Sequence, residues 1–216
     1  NAWADVLLGS TAPSGKLPVT FPLSEEGPTP CDAPGLFSFL GPMASQYLVT
    51  RTTPCDYSEG VASGWHGAIG SPVAFPFGHG MGYSNFSYEW TQPPHLRSNS
   101  SGGGAATVAL WMQVRVRNTG TEHRGVEVVQ LYISFPAAAD EPDLVLRGFE
   151  KTRLLAPGEM TTVDFELSVT KQLAVWHGTI DGPGGGAGWR HVPGTYTVTV
   201  GGSSRDARLE QRVQVQ

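Results

Sequence analysis

The sequence predicts a mainly β protein whose C-terminal half is a two-sheet β-sandwich. Three observations lead there. From Thr107 onward, apolar residues recur with period two, the spacing that puts alternate side chains on one face of a strand. Asn118-Thr119-Gly120, Pro157-Gly158 and Pro193-Gly194 punctuate those runs with turn chemistry. The chain of 216 residues also carries 28 Gly and 17 Pro, which favours short strands over long helices.

Within the C-terminal half, Leu110, Met112, Val114 and Val116 share one face, while Gln113, Arg115 and Arg117 take the other. Val129, Leu131 and Ile133 alternate again. Val163, Phe165 and Leu167 are expected inside, with Thr162, Asp164 and Glu166 outside. Tyr196, Val198 and Val200 follow Pro193-Gly194, and Leu209, Val213 and Val215 close the chain. Roughly six or seven short strands result, and packing two sheets face to face buries their apolar sides.

The N-terminal half is less regular. Asn1 to Gly9 reads as the last turns of a helix, with Trp3, Val6 and Leu7 on one face and Gly9 as its C-cap. So short a helix does not stand alone, and with no initiator Met the chain is expected to be cut from something longer. In Ser14 to Pro22, Leu17 and Phe21 each precede a proline and are held extended; this is at most an edge strand or a wrapping segment. Residues 24–56 read as loop with a helical turn around Ala44–Leu48. Phe75-Pro76-Phe77-Gly78-His79-Gly80-Met81-Gly82-Tyr83 loads aromatic rings onto backbone unsuited to a long helix. It is expected to be a seam where one domain hands the chain to the next; an aromatic loop tucked under a single domain is the alternative. Thr91 to Ala106, with its Pro pair and glycines, has the composition of a linker.

Bulk properties exclude some functions. A net charge of −5, a pI near 5.6 and 14 scattered Lys and Arg argue against a nucleic-acid partner. No segment has the long apolar run of a membrane-spanning helix. Cys31 and Cys55 either form a disulfide, worth about 3 kcal/mol on the chain-entropy account, or stay as buried thiols. With the sequons Asn85-Phe86-Ser87 and Asn99-Ser100-Ser101, they point to a secreted protein.

No catalytic, cofactor or metal constellation emerges. Glu59 is a lone carboxyl among aromatics, where burial would raise its pKa towards a general acid's. A structural Glu tied to backbone or an Arg fits better, because no second carboxyl sits at a readable spacing. His66, His79, His95, His123, His177 and His191 lack metal-ligand spacing, and the cysteines form no CxxC. Ser14-Gly15-Lys16 lacks the upstream glycine of a phosphate loop. Trp65, Trp111, Trp176 and Trp189 have the chemistry to stack on sugar rings, although such residues more often serve as core.

The motifs NAWADVLLG, PSGKLPVTFP, YSEGVASGW and FPFGHGMGYSNFSY resemble the closing part of the second domain of glycoside hydrolase family 3, the family of β-glucosidases and β-xylosidases. VRVRNTG, GVEVVQLYIS, LRGFEKTRLLAPGE, TVDFELS and PGTYTVTVGGSSRD are similar to the fibronectin type III-like domain that follows it. The matches run in order and take in nearly the whole chain outside the linker and residues 24–56.

This resemblance implies a fibronectin type III-like, immunoglobulin-like β-sandwich over 107–216. It is preceded by the C-terminal part of an α/β sandwich domain over 1–84, with a linker at 85–106. It implies a retaining, exo-acting β-glycosidase, most readily a β-glucosidase acting on terminal β-D-glucosyl residues. Retaining enzymes need two carboxyls about 5 Å apart, and the family's nucleophilic Asp and acid/base Glu are expected upstream of Asn1. The implied partners are those upstream catalytic domains and, through them, a β-linked oligosaccharide or glycoside; no cofactor is implied. A β-xylosidase, or a stand-alone carbohydrate-binding or adhesion module, is the alternative. The chain departs from the family at Gly64-Trp65-His66, where Gly-Tyr-Arg is common, and in the insertion-like stretch Asp181 to Gly188, expected to be a surface excursion.

Overall fold

A computed structural model describes residues 1–23, 64–99, 107–178 and 187–216. Helix α1 (Ala2–Leu7) is capped by the Asn1 side chain, which accepts from the Trp3 amide at 3.3 Å, and Gly9 follows its last turn. The helix has no buried residue: Trp3 and Leu7 are exposed and only Val6 is partly covered. Strand β1 (Phe21–Pro22) pairs antiparallel with β2 (Val73–Phe75), matching the expectation of a short edge element.

The sandwich has two antiparallel sheets. The first contains β3 (Phe86–Asn99), β4 (Thr107–Asn118) and β7 (Met160–Ser168), in the order β3-β4-β7. The second contains β5 (Val128–Ser134), β6 (Val145–Lys151), β10 (Gly194–Ser203) and β11 (Asp206–Val215), in the order β11-β10-β5-β6. Strands β8 (Ala174–His177) and β9 (Gly188–His191) form a separate hairpin. The period-two reading of faces holds throughout. Leu110, Met112, Val114 and Val116 from β4 meet Val129, Leu131 and Ile133 from β5, together with Phe165 and Leu167 from β7 and Tyr196, Val198 and Val200 from β10. Eight strands lie between Thr107 and Val215 among the described residues, against the expected six or seven, and the β8–β9 hairpin accounts for the surplus.

One expectation is corrected. The linker placed at 85–106 is strand over Phe86–Asn99, paired with β4 from Phe86↔Asn118 to Asn99↔Thr107. Pro93 and Pro94 cannot donate to a ladder, yet β3 is an edge strand with an open side. The register shifts between Trp90 and Gln92, and again between Gln92 and His95, absorbing the proline pair in a bulge. Tyr88 and Trp90 pack against the core. Linker composition was overridden by a partner strand and a buried face, neither of which is a local property.

The turn before β7 carries a titratable device. The Glu159 carboxylate accepts from the Ala156 amide at 2.8 Å and from Arg153 at 2.6 Å. The amide first, and then the guanidinium, hold its pKa below the usual carboxylate value. A carboxyl depressed on folding stabilises the protein above its unfolded pKa, and that contribution is lost as pH falls through the folded pKa. Glu159→Gln is therefore expected to narrow the difference in urea stability between neutral pH and about pH 3. An unaltered difference would mean that Glu159 is solvated alike in the folded and unfolded chain.

Candidate functional site

The described residues converge on a seam where the N-terminal segment lies across the end of the β-sandwich. Residues 16–20 run beside residues 77–79: the Leu17 amide donates to His79 O at 2.8 Å, the Gly78 amide donates to Leu17 O at 2.8 Å, and the Phe77 amide donates to the Thr20 hydroxyl at 3.2 Å. This paired unit rests on the face of β5 that points away from the core.

That face is unusual for a sandwich. Strand β5 buries Gln130 (3% exposed) and Tyr132 (0%) as completely as Leu131 and Ile133 on the core side. The Gln130 amide donates to Gly78 O at 3.0 Å and to Gly202 O at 2.7 Å, and its carbonyl accepts from the Tyr132 hydroxyl at 2.5 Å. Burial raises the Tyr132 pKa, so the phenol stays a donor. Trp65 closes the site, stacked on Phe77 with centroids 4.5 Å apart and edge-on to Tyr132 at 6.0 Å. The Gln130 donors and acceptor are thus satisfied by two chain segments and one ring hydroxyl, as burial of an amide requires.

The β10–β11 turn supplies the second anchor. The Ser204 amide donates to Phe77 O at 3.0 Å. The Arg205 guanidinium donates to Ala68 O at 2.6 Å and also to Ser71 O. A third anchor is the Lys16–Glu127 ion pair at 2.9 Å, whose side chains are only 18% and 13% exposed. Glu127 also accepts from the Val128 amide at 2.8 Å. Beside it, Arg208 pairs with Asp206 at 2.5 Å, and the Tyr88 ring lies 5.9 Å from the Arg208 guanidinium carbon. Burial first, then the Glu127 and Asp206 charges, push the Tyr88 pKa up, against the lowering pull of Arg208. A cavity of about 490 Å³ opens beside this cluster, walled by Lys16, His79, Glu127, Asp206 and Arg208 among others. Its two cations and two carboxylates are already paired with each other, which makes the cluster a clasp.

The other singled-out residues find plainer places. Lys16 of Ser14-Gly15-Lys16 is ion-paired with Glu127. Trp65 is inside the seam, and Trp111 is covered by Arg97, whose guanidinium carbon lies 3.3 Å from the ring centroid. Trp176 and Trp189 are exposed. No group of three or more metal-ligating side chains occurs among the described residues. Of the seam rings, Phe77 is partly buried against Trp65, whereas Phe75 and Tyr83 are each 43% exposed. Tyr83 instead ties α1 to the seam, its hydroxyl donating to Val6 O at 2.6 Å. Glu59, Cys31 and Cys55 lie outside the described residues. The sequence reading missed Gln130, Glu127 and Arg205. A partial signal existed for the first: the alternate phase of this strand, Val128, Gln130 and Tyr132, carries no charge, as in strands covered on both faces.

Residues 127–204 match the fibronectin type III-like domain. Probable beta-glucosidase D of Aspergillus niger is 33% identical over 230 residues, a match taking in 100% of this chain and 27% of that protein. The structure of beta-glucosidase 3B from Thermotoga neapolitana in complex with glycerol is 33% identical over 99% of this chain and 26% of its own, with a TM-score of 0.74. The chain belongs to the C-terminal region of glycoside hydrolase family 3. Beta-glucosidase from Kluyveromyces marxianus, crystallised with glucose, is 27% identical, with a TM-score of 0.74 over 100% of this chain and 22% of its own. This family 3 region thus spans about a quarter of the length of the relatives it matches. The match in both structures crosses the seam, since it extends over the N-terminal segment and the sandwich alike.

Proposed function

We propose that this family 3 region is the C-terminal portion of a retaining, exo-acting β-glucosidase that releases terminal β-D-glucosyl residues. The catalytic Asp and Glu then belong to the upstream part, and the residues described above brace it. One observation carries the reading: β-glucosidases match the chain from end to end, while the two carboxylates beside the seam cavity, Glu127 and Asp206, are each ion-paired with a cation. The bracing role draws on Gln130, Arg205 and the Lys16–Glu127 pair, each joining the N-terminal segment to the sandwich. Secretion fits the exposed Asn85 of the first sequon.

The test compares the 216-residue chain with the longer natural protein that contains it, on aryl β-glucoside and aryl β-xyloside. The chain alone is expected to be inactive and the longer protein to prefer the glucoside. Turnover by the chain alone that disappears in Glu59→Gln would overturn the assignment. A preference for the xyloside would move the protein to the β-xylosidases. In the longer protein, Arg205→Ala is expected to lower Tm while leaving KM within about twofold, because the two carbonyls it holds would lose a charge-assisted donor each.

A further inference from the structure

Trp176 and Trp189 face each other across the β8–β9 hairpin. Their rings meet edge to face, 5.7 Å apart at 78°, and stay 46% and 68% exposed. The Trp176 ring is held by its indole N–H, which donates to Gly178 O at 2.9 Å. Residues two apart on a strand share a face, so Ala174 and His191, another cross-strand pair, lie beside the rings. Neither carries charge near neutral pH: burial lowers the His191 pKa, and its ring stacks on Tyr196 at 5.9 Å. Next to Trp176 in sequence, Val175 points the other way and is 1% exposed. Folding therefore anchors the strand through Val175 and leaves much of both indole rings open to solvent.

Size and charge narrow what covers them. Two indoles exposed to this degree present about 200–300 Å² of apolar surface. A stable protein dimer needs roughly 800 Å² from each partner, so a second copy is a poor occupant. Among the described residues, the rings' neighbours on this face, Ala174 and His191, offer no charge to an ionic ligand. A near-perpendicular pair of rings, one offering a face and the other an edge, suits a ligand with flat C–H faces and a hydroxyl rim. A neutral pyranose has that shape and chemistry.

We propose that Trp176 and Trp189 form a surface binding site for a neutral oligosaccharide. The choice of a β-linked glucan as occupant rests on the β-glucosidase reading above; the stacking corner itself does not. The probes are soluble mixed-linkage β-glucan and soluble starch, each cast into native gels through which the 216-residue chain migrates. β-Glucan is expected to retard the chain, and Trp189→Ala to weaken that retardation about tenfold or more. Trp189 is the more exposed ring, so its loss should leave the urea midpoint unchanged. If Trp176→Ala/Trp189→Ala shifts the midpoint, the single variant carries the comparison. Retardation by starch alone, abolished in Trp189→Ala, supports the site while counting against a β-glucan as its ligand. Retardation by neither polymer, or retardation that survives Trp189→Ala, overturns the site and leaves the aryl-glycoside assay to judge the enzyme reading by itself. Sedimentation showing a dimer that Trp189→Ala dissolves would overturn it too, since a second copy would then be the occupant.

Discussion

Gly78→Ala is expected to destabilise the chain by about 3–5 kcal/mol, from two additive causes. Gly78 sits at φ +78°, where a side chain costs about 1–2 kcal/mol. It is also buried, and an added Cβ would overlap the Gln130 amide oxygen and crowd the Tyr132 hydroxyl. Gln130 would have to withdraw from Gly78 O and Gly202 O, and each buried group left without a partner costs about 1–3 kcal/mol. Gly64 separates the two causes, since its φ of +61° is also left-handed but an added Cβ meets nothing within 4 Å. Gly64→Ala should lose only the backbone share, about 1–2 kcal/mol. Urea midpoints for both variants decide the matter. Equal losses would mean that the Gln130 network yields freely and that the seam is no rigid brace.

The second large effect is expected at Asn118, in the turn that ends β4. This side chain is fully buried and gathers three segments. Its amide donates to His123 O and to Leu155 O, each at 3.0 Å, and its carbonyl accepts from the Gly120 amide at 2.9 Å. Asn118→Ala strands those groups in a place water does not reach, at a cost of about 3–5 kcal/mol. Asn118→Asp keeps the shape but cannot donate to the two carbonyls when ionised, so it should be equally damaging at neutral pH. It should recover part of the loss as pH falls and the acid becomes a donor. Thermal melts of both variants at neutral and acidic pH provide the check. A mild Asn118→Asp at neutral pH would show that the turn is held by its backbone bonds alone. A domain stable by about 5–15 kcal/mol would lose about a fifth or more of that margin in either Gly78→Ala or Asn118→Ala.

Asn118-Thr119-Gly120 shows both what the sequence reveals and where it stops. Its composition marks a turn, and a turn is there. Nothing local reveals that the same Asn118 reaches Leu155, 37 positions away. Phe77 and Tyr83 repeat the lesson. The stretch Phe75 to Tyr83 was legible as a seam because rings on Pro- and Gly-rich backbone need cover from elsewhere. Which ring is covered depends on Trp65, which stacks on Phe77 and leans edge-on to Tyr132 of β5.

By itself, the sequence determined the inner faces of β4, β7 and β10. Period-two patterning is a local property, and a strand with one apolar side has one way to bury it. It determined the family too, through ordered motifs on both sides of the seam. Only the tertiary structure decided that Phe86–Asn99 is strand, that Gln130 and Tyr132 are as buried as the core, and that Trp176 and Trp189 face outward while Trp65 is covered. In each case the deciding energy comes from a partner far along the chain: the ladder donors of β4, the Gly78 and Gly202 carbonyls, the Phe77 ring. Those partners reach the same point only after the sandwich has closed.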